Sequence, residues 1–243
     1  MAGRPQAPRL AALAWPEVVE WFRRDPRLLF PVASLMQHGP HLPLETDAII
    51  TGALAEGIAA RHHVLLAPSL PFGSGCDVDR EYAGTAVLAP KTLHRVLNDL
   101  TGNWEAQGLR ELVLLTSNGY GPNYRALVSV IAGDLKIRAV DTNVVDVSPV
   151  LRTPSMPERG GEIETSLLLY LSPASVRMDR AVDEVPGTRE LRGRLQGTEP
   201  VPLPGSAGVV GRPTAATAEK GKRLYEYLVR YIGDRLFGEN ADG

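Results

Sequence analysis

Four side chains able to bind a metal or move a proton, His38, His41, Glu45 and Asp47, fall together in the stretch HGPHLPLETD. An apolar run over residues 30–35 precedes them, and a helix pattern through Ile49, Ile50, Leu54 and Ile58 follows. The group therefore sits on a strand-to-helix turn, the place where α/β proteins put ligands. Thr46 or Asp47 is expected to cap the helix, which holds the carboxylate at a helix start. A histidine and an aspartate fixed in this way can bind a metal. His41 is expected to brace the loop, and Glu45 to be an exposed carboxylate or, turned inward, a general base. His62 and His63 fall between a helix end and a strand, and His94 is read as a solvated helix residue.

A second polar stretch, Asn118-Gly119-Tyr120-Gly121-Pro122-Asn123, follows an apolar run and precedes a helix pattern. Two glycines in that context can bring backbone close to a phosphate. Position 124 is Tyr, however, so the third glycine of a dinucleotide fingerprint is absent. Pro122 suits a first helical turn, and with Asn118 and Asn123 beside it the stretch reads as a ligand-facing turn. Nucleotide binding ranks a distant third among the readings.

The elements that must position these residues alternate. Helix patterns cover residues 15–22, 90–107, 123–135, 162–171 and 214–232, and strand patterns cover 64–67, 111–116 and 137–147. That alternation predicts an α/β fold, a single layered α/β/α domain with a mostly parallel sheet over residues 1–243. Residues 1–9 and 238–243 read as frayed tails, and residues 199–213 as a long proline- and glycine-bearing surface loop.

A chain of 243 residues suits one core, since cores begin to split beyond about 250 residues. The net charge of −2, without charge runs, gives no reason to expect nucleic acid or an anionic membrane as partner. One cysteine excludes an internal disulfide, and no stretch has the roughly 18 apolar residues of a spanning helix. The expected location is the cytoplasm.

HGPHLPLETD is similar to the first signature of the creatininase family, which reads E-Q-H-G-x-H-L-P-L-x-T-D. Further blocks follow in the family's order: GTAVLAPKTL at 84–93, SNGYGPN at 117–123, GGEIETSLLLYLSP at 160–173 and GVVGRPTAATAEKGKRLYEYLV at 208–229. The resemblance implies a creatininase-like fold, hexamers built from dimers, and hydrolysis of a small, cyclic or linear amide, or the reverse cyclisation. It also implies two metal ions sharing the Asp that is Asp47 here. The family's Glu ligand is Met36 in this chain and the His of its N-G-H-G turn is Tyr120, so the ion that uses both is expected to be lost. The other ion would keep His38 and Asp47, with Glu164 of the E-T-S block as its remaining ligand. Glu162, two residues earlier, faces elsewhere on the helix.

Two further departures bear on charge. Arg80 and Arg159 stand where the family often has histidines. Carboxylates about 4 Å apart repel by roughly 4 kcal/mol at an effective dielectric near 20, so for Asp47 and Glu164 something positive must compensate or one must stay protonated. One divalent ion (Zn, Mn or Fe) or an arginine could supply it, and the sequence leaves the one-metal and metal-free readings even. In the first function reading Asp47 and Glu164 act on an amide, Tyr120 and Arg159 donate hydrogen bonds to its carbonyl, and Asn118, Asn123, Arg80 and Glu45 help bind it. In the second, the chain is a non-catalytic homologue, a pseudoenzyme that binds a small molecule or a partner subunit. The expected assembly is a homo-oligomer, with residues 15–22 and 199–213 as contacts.

Overall fold

The computed structural model describes residues 6–131, 133–152, 158–185, 187 and 205–238. Its centre is a parallel sheet of four strands, β1 (Arg27–Pro31), β2 (Leu65–Leu66), β3 (Glu111–Thr116) and β4 (Lys136–Asp141), in the order β2-β1-β3-β4. Register is fixed by pairs such as Leu29 with Leu66, Pro31 with Leu115, and Thr116 with Asp141. The chain moves outward from β1 to β2 and then returns to the other side of β1. A crevice therefore opens beyond the carboxyl ends of β1 and β3, where strand order reverses. Both polar stretches singled out in the sequence leave the sheet there.

Both sheet faces are buried, as the apolar runs require. Leu29, Val113 and Leu115 join a core with α2 (Thr46–His62), α5 (Glu162–Leu171) and α6 (Ala218–Phe237). Leu28, Phe30, Leu112 and Leu114 point the other way, into a core with α1 (Trp15–Arg24), α3 (Pro90–Ala106) and α4 (Gly121–Val128). This period of two puts helices on both sides of the sheet and gives the expected α/β/α layering.

Several boundaries differ from expectation. Strand β1 ends at Pro31, because Val32 turns aside to bridge Leu70 and Leu35 bridges Ala86. Helix α4 ends at Val128, and the chain after it is tied to α3 instead: Asn98 Oδ1 accepts the N–H of Ile131, and Glu105 accepts those of Gly133 and Asp134. Strand β4 stops at Asp141, which caps a short 3-10 turn, Thr142–Val144. The last helix begins at Ala218, capped by Thr217, and runs past Ile232 to Phe237. Residues 6–9 are not a frayed tail. Arg9 bridges Leu66, Pro8 O accepts the Leu66 N–H, and Ala7 is buried. Residues 1–5, 199–204 and 239–243, parts of the expected tails and loop, lie outside the described residues.

Candidate metal centre

His38, Asp47 and Glu164 meet in the crevice. Each offers one ligand atom, these atoms lie within 4.8 Å of one another, and all three residues are buried. His38 Nε2 is 3.0 Å from Asp47 Oδ1 and 4.0 Å from Glu164 Oε1. Its other ring nitrogen, Nδ1, lies 3.0 Å from Met36 O. A carbonyl can only accept, so Nδ1 carries the proton and Nε2 in the neutral ring presents its lone pair to the carboxylates.

Local structure explains how each is held. Asp47 is in the first turn of α2 but does not cap it, and neither does Thr46, whose hydroxyl donates to Pro43 O; the cap position is Glu45. Asp47 instead points inward to His38, and its Oδ2 is buried with no hydrogen-bond partner. Glu164 is in the first turn of α5, and its Oε2 accepts the Gly160 N–H at 2.5 Å. Gly160 has φ +58°, and a Cβ there would lie 2.4 Å from His38 O. Only glycine lets the loop before α5 approach the histidine this closely.

The protonation balance follows from burial. Burial opposes charge on His38, yet Asp47 and then Glu164 outweigh it, and the ring's pKa is raised. Burial raises Glu164 too, with His38 opposing and Asp47 adding. His41 braces the loop as expected: Nε2 lies 2.9 Å from Thr165 Oγ1, and burial, then the charge of His38, lowers its pKa to about 4.

The arginine is near the trio but bonded elsewhere. Arg159 is buried, and its Nη1 donates to Met36 Sδ at 3.1 Å and to Asp79 Oδ1 at 3.4 Å, while Nε has no partner. Asp79 is fully buried and also accepts the backbone N–H and the thiol of Cys76, each at 3.0 Å. The guanidinium therefore answers Asp79 first. Asp47 and Glu164 act on it only through space, after Asp79. Arg80, the other arginine proposed as counterion, is exposed and paired with Asp77 at 3.6 Å.

The remaining sequence candidates divide as follows. Asn118 gives its amide to Ser34 Oγ and Ser74 O, and accepts the Tyr120 N–H. Asn123 Oδ1 accepts the Ser74 N–H. Both asparagines brace the loops after β1 and β3 against the chain near Ser74. Tyr120 is partly buried, with its pKa raised by burial and then by Cys76, Asp77 and Asp79. Glu45 is exposed. Glu162 turns away to pair with Lys220 at 2.6 Å.

Three acidic residues were missed: Asp79, Asp141 and Glu158. Asp141 accepts the N–H groups of Gly119 and Asn143 and so ties the loop after β3 to the end of β4. Burial raises its pKa from 3.8 to about 6, and Glu158 rises from 4.5 to about 7, also chiefly by burial. Both acids hold protons more tightly folded than unfolded, so the folded state binds more protons between the two sets of values and stability falls as pH rises through that window. Other groups titrate in the same window, His41 with the opposite sign, so the variant is read against wild type: in chelator the melting temperature of Asp141→Asn should gain on that of wild type as pH rises from about 4 to about 6. A difference that does not change with pH would contradict this assignment.

Comparison with known proteins agrees with the geometry. The family model for creatininase, described as creatinine amidohydrolase, matches residues 11–236. The "Mycofactocin precursor peptide peptidase" of Mycobacterium tuberculosis (strain CDC 1551 / Oshkosh) is 34% identical over 217 residues, covering 84% of this chain and 82% of that protein. The "Creatinine amidohydrolase" of Pseudomonas putida is 30% identical over 234 residues, covering 86% and 88%. A solved structure named "Creatininase Mn" superposes with a TM-score of 0.78 at 25% identity, covering 95% of this chain and 97% of that one. With fold, signature blocks and a buried His-Asp-Glu cluster in agreement, the chain belongs to the creatininase family.

Proposed function

We propose that this chain hydrolyses amide or peptide bonds with one divalent ion held by His38, Asp47 and Glu164. The observation that carries the reading is Asp47 Oδ2, a buried carboxylate oxygen without a hydrogen-bond partner beside an imidazole and a second carboxylate. Leaving such a group unsatisfied costs about 1–3 kcal/mol or more, and a cation between the ligands removes that cost. One nitrogen and two oxygen donors suit Zn or Mn, and the similar solved creatininase is named for Mn.

Charge counting supports one ion. Asp47, Asp79 and Glu164 against Arg159 leave a formal charge of −2 in buried surroundings when His38 is neutral. A divalent ion cancels it. A second ion would add two uncompensated charges beside a guanidinium, with only a thioether available at Met36. Without any ion, His38 and one carboxylate must take up protons instead, the directions in which their pKa values are raised.

When bound, the ion would polarise a carbonyl and lower the pKa of a coordinated water to about 7. The protein's own groups fix the geometry. Met36 O sets the His38 tautomer, the Gly160 N–H orients Glu164, and the Arg159–Asp79 pair fixes the charge on the far side of Met36. The substrate class follows the relatives, one named a peptide peptidase and one an amidohydrolase.

The test is hydrolysis of creatinine and of a panel of short peptides by chelated and by Zn- or Mn-loaded protein. Turnover only in the loaded protein is expected. Loaded protein inactive on both classes would favour the non-catalytic reading.

A further inference from the structure

An open sheet has two edge strands, and each leaves backbone N–H and C=O groups without a ladder partner. Here the chain covers one of the two edges. At the outer side of β2, Pro8 O accepts the Leu66 N–H and Arg9 bridges Leu66. At the opposite edge β4 is the last strand in the order, and no described strand pairs with its outer side. Lys136 donates its N–H inward to Arg110 O at 2.9 Å, so by the alternation of a parallel ladder the N–H and C=O groups of Ile137 and Ala139 point outward. Among the described residues one of these groups has a partner: Ala139 O accepts the Tyr124 hydroxyl at 3.2 Å.

We propose that a second copy of this chain docks here, its β4 pairing antiparallel with β4 across a two-fold axis so that the two sheets become one. A two-fold is the commonest symmetry of homo-oligomers, and it requires a surface complementary to itself. The edge meets that requirement in shape and in charge. A groove of about 940 Å³ runs along it between β4 and the second half of α6, with Arg138, Val140, Tyr231 and Leu236 in its walls. Apolar side chains stand at its rim: Val144 is 79% exposed, and Tyr231, 39% exposed, stacks on Tyr227 with ring centroids 5.5 Å apart.

Charge runs in one direction along the groove. Helix α6 lies antiparallel to β4: Tyr227 donates to Asp146 O beyond the strand's carboxyl end, and Leu236 O accepts from Arg138 near its amino end. Exposed Lys136 and Arg235 therefore mark one end, and exposed Asp146 marks the other. Asp234, the acid that lines the groove at its basic end, is already forked by Arg61. Antiparallel pairing sets the basic end against the partner's acidic end twice over, whereas parallel pairing would set like against like. Helix α1 also exposes Trp15 and Val19, but the interior of a helix has no unpaired backbone to add to such a contact.

The test measures mass by light scattering at micromolar concentration, and hydrogen exchange at the Ile137 and Ala139 N–H groups, for wild type, Ala139→Pro and Val144→Lys. Proline at 139 removes an outward donor and leaves the ladder with β3 intact. Lysine at 144 sets a cation against the partner's basic end from a position too exposed to matter for folding, so it decides the question even if the proline variant does not fold. Wild type should be a dimer or a multiple of one, and the mass should fall at least twofold in the variants with an unchanged circular dichroism spectrum. The two edge amides should exchange slowly in wild type and about tenfold or more faster in Val144→Lys. A monomeric wild type would overturn the proposal, as would a Val144→Lys protein of unchanged mass or edge amides that exchange equally fast in both. A monomer whose edge amides slow only when an extended peptide is added would overturn it too, and would identify the peptide as the occupant.

Discussion

Asp47→Asn is expected to abolish divalent-ion binding and to lower amide hydrolysis by about 10⁴-fold, since the ion contributes several kcal/mol to the reaction and each ~1.4 kcal/mol is tenfold. The substitution preserves the shape of the site. Asparagine can turn its Nδ2 amide to the His38 Nε2 lone pair, and the buried charge that has no partner at Oδ2 is removed. The size of the stability change therefore depends on metal. In chelator the variant should melt within a few degrees of wild type, because the Asp47 charge that favours a protonated His38 and the buried Oδ2 without a partner are removed together. With metal added, wild type should rise by mass action, and the variant should not move. A variant that still gains stability from metal would show that Asp47 is not a ligand.

Arg159→Met is expected to cost about 3–5 kcal/mol, the usual result of stripping one partner from a buried ion pair. At about 2–4 °C per kcal/mol for a chain of this size, the melting temperature should fall by roughly 10 °C. The reason is Asp79, which is fully buried and depends on this guanidinium, and not chiefly the trio. Asp79→Asn combined with Arg159→Met should therefore recover most of the loss, because both charges leave together. Were Asp47 and Glu164 the dependent partners, the double variant would be no better than Arg159→Met alone, and added metal would rescue the single variant instead.

His38 and Asp47 were readable from one short local pattern, and Glu164 entered through the resemblance of the E-T-S block to the family's. His38 and Asp47 flank one strand-to-helix turn, and Glu164 opens a helix whose predicted bounds, residues 162–171, match the structure. The role of Arg159 was misplaced for the opposite reason. Its partner Asp79 is 80 positions away and sits in the four-residue 3-10 turn Val78–Glu81, too short for any periodicity to say whether Asp79 or Arg80 turns inward. Arg80 was the visible candidate and lies at the surface. Asn118 and Asn123 were read as facing a ligand because polar residues beside glycines at a strand end often do. In the structure their amides bond Ser34 in the loop after β1 and Ser74 in the chain after β2, across long sequence gaps. Strand ends were set by register with neighbours, as where β1 stops at Pro31 opposite Leu115, and a single-strand pattern does not carry that information.

The most direct test is to count the ions. Protein stripped with chelator, dialysed to equilibrium against Zn or Mn and analysed for metal should hold one divalent ion per chain, and Asp47→Asn should hold none. Two high-occupancy ions per chain would contradict the charge balance set by Arg159 and Met36, and none in the wild type would contradict the assignment of His38, Asp47 and Glu164 as a metal centre.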